Sequence, residues 1–175
     1  MNIFLTGGKQ VGKSTIINSV TNELGIGEKT IGFRTLLNPS TEIRTFYIEP
    51  INISLLENPY KDIGYFKDGT KTGITSTFED YGVKLLEKCL SERSSIVLLD
   101  EVGFFEEGAR NFQKKLHELL DSPKTVLGVI KEHTSEFLDS IRFREDVRIL
   151  HVTLVNREEI KIELIKIIKN LKLEN

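Results

Sequence analysis

The sequence predicts a three-layer α/β domain, in which helices cover both faces of a mostly parallel central sheet. Short apolar segments alternate with segments of helical spacing along much of the chain. Residues 96–99 form an unbroken aliphatic run, which is typical of a strand buried on both faces of a parallel sheet. The length of 175 residues suits a single domain, residues 1–175, with a substantial core.

The sequence predicts an amino-terminal strand, loop and helix, and then the following elements in chain order. Residues 30–36 and 42–48 predict two strands that flank the turn signal Asn38-Pro39-Ser40, and together they predict a hairpin. Residues 50–77 show little periodicity and predict loop with short strands. The remaining helices are predicted at residues 78–92, 109–120, 134–141 and 157–173, and the remaining strands at residues 95–101, 125–130 and 147–153.

Residues 7–14 read Gly-Gly-Lys-Gln-Val-Gly-Lys-Ser and match the pattern G-x-x-x-x-G-K-S/T without a mismatch. They follow apolar residues 2–6, which predict a strand, and precede a segment of helical spacing that starts near Gly12. Strand, glycine loop and helix in this order are the context of a phosphate-binding loop. The residues expected to bind a nucleotide here are Gly7, Gly8, Lys9, Gln10, Val11, Gly12, Lys13, Ser14 and Thr15.

The chemistry of this loop predicts a role for its last two residues. Backbone N–H groups and the helix N-terminus form an anion site. Lys13 is expected to act on the β- and γ-phosphates as a catalytic cation, and the Ser14 hydroxyl to be a ligand of Mg²⁺, the predicted cofactor. A plain flexible turn before a helix would not require a Lys-Ser pair. The predicted substrates are nucleoside triphosphates, among them ATP, GTP, CTP and UTP.

Acidic residues end the aliphatic strand, where the carboxyl edge of a parallel sheet forms the site. Asp100 is expected to hold the Mg²⁺ shell, and Glu101 to orient and deprotonate the attacking water. Glu106 is the alternative base. Because neighbouring strand residues face opposite ways, Asp100 and Glu101 should do different jobs if the strand remains regular.

Positive charge on the departing γ-phosphate is expected from an arginine. Arg142 and Arg144 are the catalytic candidates, and Arg157, after the last predicted strand, is a further one. Local ion pairs with Glu145 and Asp146 are the alternative explanation for Arg142 and Arg144. Asn156 and Arg157 follow the last predicted strand and are expected to flank the base, by hydrogen bonding and by stacking respectively. Asn156 is equally a good residue for the start of the following helix.

Composition narrows the class of protein. The net charge of -2 indicates neither a nucleic-acid partner nor a membrane surface. The single cysteine excludes an internal disulfide framework and favours a reducing compartment. No signal peptide is recognised before the first predicted strand, and a cytoplasmic location is predicted.

Residues 100–106, Asp-Glu-Val-Gly-Phe-Phe-Glu, resemble the D-E-I/V-G-x-M/F-E signature of the small thermophilic-type nucleoside-triphosphatase family, which includes the cancer-related nucleoside triphosphatase. Further blocks match in the same order, at residues 4–7, 32–35, 76–79, 141–147 and 152–157. The resemblance implies a RecA-like P-loop NTPase fold with another strand between the loop strand and the acidic strand. It also implies Mg²⁺-dependent hydrolysis of several nucleoside triphosphates.

The chain departs from the family pattern at two places. Gln10 stands where the family usually has glycine, which puts the shape of the loop in question. Residues 36–39, Leu-Leu-Asn-Pro, replace a Glu-Glu-x-Arg sequence.

Two other function classes fit the same motifs. In a small-molecule kinase, the γ-phosphate would pass to a hydroxyl that Glu101 activates. In a nucleotide-dependent binding module, the triphosphate would order a segment that a protein partner reads. Hydrolysis ranks first because the Asp-Glu pair at the strand end suits it. No N-K-x-D motif is recognised, so a broad base preference is expected.

Overall fold

A computed structural model of the chain describes residues 1–38, 43–53, 60–94 and 96–173. Its strands are β1 (Asn2–Thr6), β2 (Thr30–Asn38), β3 (Arg44–Ile51), β4 (Lys61–Lys67), β5 (Thr70–Gly73), β6 (Ile96–Val102), β7 (Thr125–Ile130) and β8 (Val147–His151). Its helices are α1 (Lys13–Glu23), α2 (Thr75–Thr77), α3 (Val83–Ser91), α4 (Arg110–Asp121), α5 (Glu136–Arg142) and α6 (Arg157–Leu173). These strands form one sheet in the order β5-β4-β3-β2-β6-β7-β1-β8.

Half of this sheet is the parallel sheet that the sequence predicts. The strands β2, β6, β7, β1 and β8 run parallel to one another. β7 lies between β1 and β6, so the RecA-like order is confirmed. The carboxyl ends of β1, β6, β7 and β8 form one edge, here called the carboxyl edge, and the opposite ends form the amino edge.

The other half is antiparallel. β2 pairs with β3 from Gly32↔Ile51 to Asn38↔Thr45, which confirms the predicted hairpin. Of its predicted turn, Pro39 and Ser40 lie outside the described residues, as does Glu42 at the start of the returning strand. The segment predicted as loop with short strands contains β4 and β5, which extend the sheet beyond β3. Residues 54–59 of that segment also lie outside the described residues.

Helices cover both faces of the sheet, as predicted. Because side chains alternate along a strand, Ile3 and Leu5 of β1 pack with α1 and α6, whereas Phe4 packs into the core that contains α3, α4 and α5. Within the described part of the chain, no helix combines the length and the apolar character needed to cross a lipid bilayer.

The predicted helix at residues 78–92 begins earlier than expected. It starts with α2 and passes through a π-helical turn, Phe78–Gly82, before α3. Gly82 packs against Phe112 of α4, and a Cβ at this glycine would lie 2.8 Å from the Phe112 ring. The other predicted elements that lie in the described residues are found within about three residues of their expected ends.

The antiparallel strands support the segment that follows β6. The Phe105 ring lies against Gly64 of β4, where an added Cβ would be 2.5 Å from the ring. Gly73 of β5 lies equally close to the Phe105 backbone, with 2.7 Å from an added Cβ to the carbonyl oxygen. Phe46 of β3 packs on the same ring at a centroid distance of 5.2 Å. The antiparallel half of the sheet therefore holds residues 100–106, here called the acidic segment, in place.

Candidate functional site

The glycine loop leaves β1 and enters α1 at the carboxyl edge. Gly7 has a φ of 139°, and a Cβ there would lie 2.2 Å from the Val152 carbonyl oxygen, so only glycine fits. Gln10 has a φ of 63°, in the left-handed region that glycine favours. The glutamine therefore keeps the backbone conformation that a glycine would adopt, at a local conformational cost.

Lys13 is the first residue of α1, and its ammonium lies over the loop. It donates hydrogen bonds to the carbonyl oxygens of Gly7 and Gly8, each at 2.7 Å. Burial lowers the pKa of Lys13, and the nearby carboxylates of Glu101 and Asp100 act in the opposite direction. The predicted cation thus lies beside both predicted acids.

Ser14 and Asp100 meet as the sequence predicts. The Ser14 hydroxyl donates a hydrogen bond to Asp100 Oδ1 at 3.0 Å. Asp100 is 9% exposed, and burial raises its pKa, while the hydrogen bond from Ser14 and the charge of Arg34 oppose that rise. A hydroxyl and a carboxylate oxygen this close are hard donors of the kind that Mg²⁺ prefers. The pair fits the predicted cofactor.

Arg34 is a supporting residue that sequence reasoning missed. It pairs in register with Asp100 and donates to Asn18 Oδ1 on α1 at 3.0 Å. Its place near the carboxyl end of a predicted strand was the available signal, but only the pairing of β2 with β6 brings it beside Asp100.

Glu101 lies where β6 becomes irregular. The pairing with β7 shifts between Asp100 and Val102, which leaves Glu101 out of the register. Its carboxylate forms an ion pair with Lys131, a residue that sequence reasoning missed. Lys131 directly follows the last residue of β7, so the rule that selected Asp100 would also have selected this lysine.

Glu106, the alternative base, lies inside the protein. It is 2% exposed, and its Oε2 accepts a hydrogen bond from the Gly103 N–H at 3.1 Å. Burial raises the pKa of Glu106 to about 8. Glu106, Glu101 and Lys131 line a small cavity of about 10 Å³. The side chain of Glu106 is therefore engaged by the backbone of the acidic segment, whereas that of Glu101 is 25% exposed.

Arg144 is not brought to the loop. It binds Asp121 at 2.5 Å and Asp146 at 2.7 Å. Asp146 also accepts from the side chain of Asn2, the first residue of β1, which fixes this cluster at the amino edge. The alternative in the sequence, a local ion pair with Asp146, describes the observed contact.

Arg142 lies at the end of α5 and turns back toward the β7–α5 connection. It donates to the carbonyl oxygens of Lys131 and His133, the latter at 2.8 Å, and to Asp139 Oδ1 at 2.7 Å. These partners belong to α5 or to that connection, and among the described residues none belongs to the glycine loop. Its contact with the predicted site therefore passes through the backbone of Lys131.

A cleft of about 390 Å³ extends from the loop between α1 and the β8–α6 connection. Arg157 borders it beside Gly12 and Thr15. Asn156 instead serves the connection: its side chain accepts from the Thr153 N–H at 2.7 Å and donates to the His151 carbonyl at 2.9 Å. The remaining lining residues are Ile16, Ser19, Leu154, Val155, Glu158 and Lys161.

The chain is similar to known proteins over most of its length. A sequence profile of the NTPase family matches residues 2–165. The nucleoside-triphosphatase THEP1 of Thermotoga maritima is 28% identical over 183 residues, which cover 97% of this chain and 96% of that protein. The cancer-related nucleoside-triphosphatase homolog of Bos taurus is 29% identical, and the alignment covers 94% of each chain.

Solved structures share the fold. The crystal structure of THEP1 from the hyperthermophile Aquifex aeolicus superposes with a TM-score of 0.74 at 22% identity, covering 95% of this chain and 98% of that chain. The solution structure of a human cancer-related nucleoside triphosphatase gives a TM-score of 0.73 at 22% identity and covers 97% of each chain. At this identity the likeness describes the architecture alone.

Proposed function

Because this chain belongs to the NTPase family and is a nucleoside-triphosphatase, we propose that it cleaves the γ-phosphate of nucleoside triphosphates by Mg²⁺-dependent hydrolysis at the carboxyl edge. One observation carries the proposal. The Lys13 ammonium, the Ser14–Asp100 pair and the Glu101 carboxylate come from two elements, α1 and β6, and lie together beside the glycine loop. Phosphate binding, metal binding and water activation need these groups at one place.

The loop and Lys13 bind the triphosphate. The N-terminus of α1 presents backbone N–H groups to the phosphates, and Lys13 exchanges its bonds to Gly7 and Gly8 for phosphate oxygens. Ser14 and Asp100 would hold Mg²⁺, which supplies charge neutralisation at the β- and γ-phosphates when bound. Arg34 favours the ionised form of Asp100, which this role needs.

Glu101 accepts the proton of the attacking water. It is the more exposed of the two candidate bases, and it lies beside Lys13 rather than within the backbone of the acidic segment. Glu106 supports that segment through Gly103.

The nucleoside occupies the cleft beside Thr15 and Arg157. Val155, 95% exposed, and Leu154 form an apolar rim of this cleft. An aliphatic surface and a guanidinium plane contact any base without reading its hydrogen-bonding edge. A broad preference among ATP, GTP, CTP and UTP follows.

Phosphate release from these four nucleotides, with Mg²⁺ and with EDTA, tests the proposal. We expect slow release from several nucleotides, its loss in EDTA, and its loss in Lys13→Ala. Lys166→Ala, which removes an exposed lysine of α6, is the matched control and should release phosphate at the rate of the natural chain. Release that persists in EDTA or in Lys13→Ala would contradict the proposal. Nucleotide binding without release would favour a missing acceptor or partner instead.

A further inference from the structure

We propose that Lys131 is a further catalytic residue, a second cation that contacts the γ-phosphate as it departs. The inference rests on the proposed function and assigns to Lys131 the role that the sequence suggested for Arg142 and Arg144. Both arginines have other partners: Arg144 lies at the amino edge, and Arg142 binds backbone carbonyls.

Lys131 has the required position in the sheet. It follows β7, which lies between β1, the strand of the glycine loop, and β6, the strand of Asp100 and Glu101. Its ammonium forms an ion pair with Glu101, the residue after Asp100. Lys131 and the proposed base therefore lie at the same edge of the sheet as Lys13 and the glycine loop.

The backbone of Lys131 is fixed. Its N–H donates to the Val102 carbonyl at 3.0 Å, and its carbonyl accepts a hydrogen bond from Arg142. Its aliphatic stem runs along Gly103, where an added Cβ would lie 3.1 Å from Lys131 Cγ. The glycine of the acidic segment thus leaves room for the lysine, and Arg142 acts as a positioning residue.

The head of Lys131 remains accessible. The side chain is 36% exposed, and Nζ lies 5.9 Å from the centre of the Phe104 ring. Charge placed in advance beside a reacting group stabilises the charge that develops there, because little reorganisation is needed during the reaction. Lys131, with its hydrogen-bonded backbone and partly exposed side chain, is placed to supply such a charge.

The step balances without a further reactant. The oxygen of water forms a bond to the γ-phosphorus, and the bond between that phosphorus and the bridging oxygen breaks. The electron pair of the broken bond stays on the diphosphate, and the proton of the water passes to Glu101. Lys131 remains protonated throughout and contacts a non-bridging γ-oxygen, while its pairing with Glu101 keeps the base beside the water.

The test compares Lys131→Met and Lys131→Arg with Lys71→Met. Lys71 of β5 lies over the same Phe104 ring at 4.4 Å, so its substitution removes a similar charge and stem without contact to Glu101. We expect Lys131→Met to lower kcat by about 100- to 1,000-fold. Lys131→Arg should recover part of the loss, and Lys71→Met should stay within about twofold of the natural chain.

Binding of ADP with and without aluminium fluoride, measured with Mg²⁺ present, separates catalysis from folding. Aluminium fluoride imitates the departing phosphoryl group, so it should tighten ADP binding to the natural chain and to Lys71→Met. In Lys131→Met the affinity for ADP alone should be unchanged and the tightening lost. Retained kcat, or retained tightening, in Lys131→Met would overturn the proposal. If the natural chain itself releases no phosphate, the proposed function fails, and that outcome is distinct.

Discussion

Each edge of the parallel sheet carries a cluster of charged side chains, and the surroundings shift the pKa values of the two clusters in opposite senses. At the amino edge, Arg144 is bound by two carboxylates, and hydrogen bonds from this arginine lower the pKa of Asp146. The same contacts raise the pKa of Arg144. At the carboxyl edge, burial lowers the pKa of Lys13 and raises that of Asp100 and Glu106. The contacts at the amino edge favour the charged forms of its side chains, whereas burial at the carboxyl edge disfavours them.

The difference separates a structural role from a functional one. A cluster whose contacts favour the charged forms has satisfied its own groups and has little left to offer a ligand. In the other cluster, burial opposes the charged forms of the side chains. Side chains whose pKa is shifted in this way concentrate at functional sites. The comparison therefore supports the proposal that binding and catalysis belong to the carboxyl edge, whereas the amino edge contributes to stability.

The largest expected effect is at Glu101. Glu101→Gln keeps the shape of the side chain and removes the proton acceptor, so we expect kcat to fall by about 100- to 10,000-fold. Nucleotide affinity should change little, because the loop and Lys13 are intact. Single-turnover phosphate release and equilibrium binding measure the two quantities. Unchanged turnover would refute the role of Glu101 as base.

Glu106 tests the cost of burial at the carboxyl edge. A carboxyl whose pKa is about 8 when folded and 4.5 ordinarily binds its proton more tightly in the folded protein. Its contribution to the free energy of unfolding is complete below pH 4.5 and declines as the pH rises, until it is lost above about pH 8.

We therefore expect the stability of the natural chain, relative to Glu106→Gln, to fall by a few kcal/mol between about pH 5 and pH 9. Urea unfolding across this range measures the difference. Glu159→Gln, at an exposed position of α6, is the matched control and should leave the pH dependence unchanged. Parallel curves for the natural chain and Glu106→Gln would contradict the burial account.

Asp100 separates metal binding from phosphate binding. Asp100→Asn should raise the Mg²⁺ concentration needed for half-maximal phosphate release by about 10- to 100-fold, since it removes charge from the metal shell. A Mg²⁺ titration at saturating nucleotide measures the change. Asp80→Asn, at an exposed ion pair with Lys84, is the control. An unaltered Mg²⁺ requirement in Asp100→Asn would remove this residue from the metal site.

Arg144 carries the smallest expected effect. Arg144→Gln removes contacts to two carboxylates that are partly exposed, so it should lower the free energy of unfolding by about 1–2 kcal/mol. Turnover at saturating nucleotide should stay within about twofold. Denaturant unfolding and phosphate release measure both on one sample. A large loss of turnover at unchanged stability would restore Arg144 as a catalytic residue and erase the contrast between the edges.

Much of the parallel half of the molecule can be predicted from the sequence. Its strands and helices carry continuous local signals, and the glycine loop and Asp100 lie at the ends of such strands. Because parallel strands end at a common edge, these two signals predict that Ser14 and Asp100 lie together, and the structure joins them by a hydrogen bond.

The rest depends on pairings between distant segments. β4 and β5 lack a clear period and are held by Phe105 packing on Gly64 and Gly73, a contact that no local pattern records. Arg142 and Arg144 are close in sequence but have different partners. Arg142, at the end of α5, binds the carbonyl of Lys131, whereas Arg144, before β8, binds Asp146. The position of Lys131 after β7 was a signal in the sequence, but its ion pair with Glu101 is seen only in the structure, because a lone lysine after a strand is commonly a solvated charge.

Hydrolysis in ¹⁸O-labelled water tests most directly the central claim that water attacks the γ-phosphorus at the carboxyl edge. The natural chain is incubated with ATP and Mg²⁺, and the two products are examined by mass spectrometry. The account predicts labelled oxygen in the released phosphate and none in the diphosphate. Label in the diphosphate would contradict this account. Transfer of an unlabelled γ-phosphoryl group to an acceptor other than water would also contradict it.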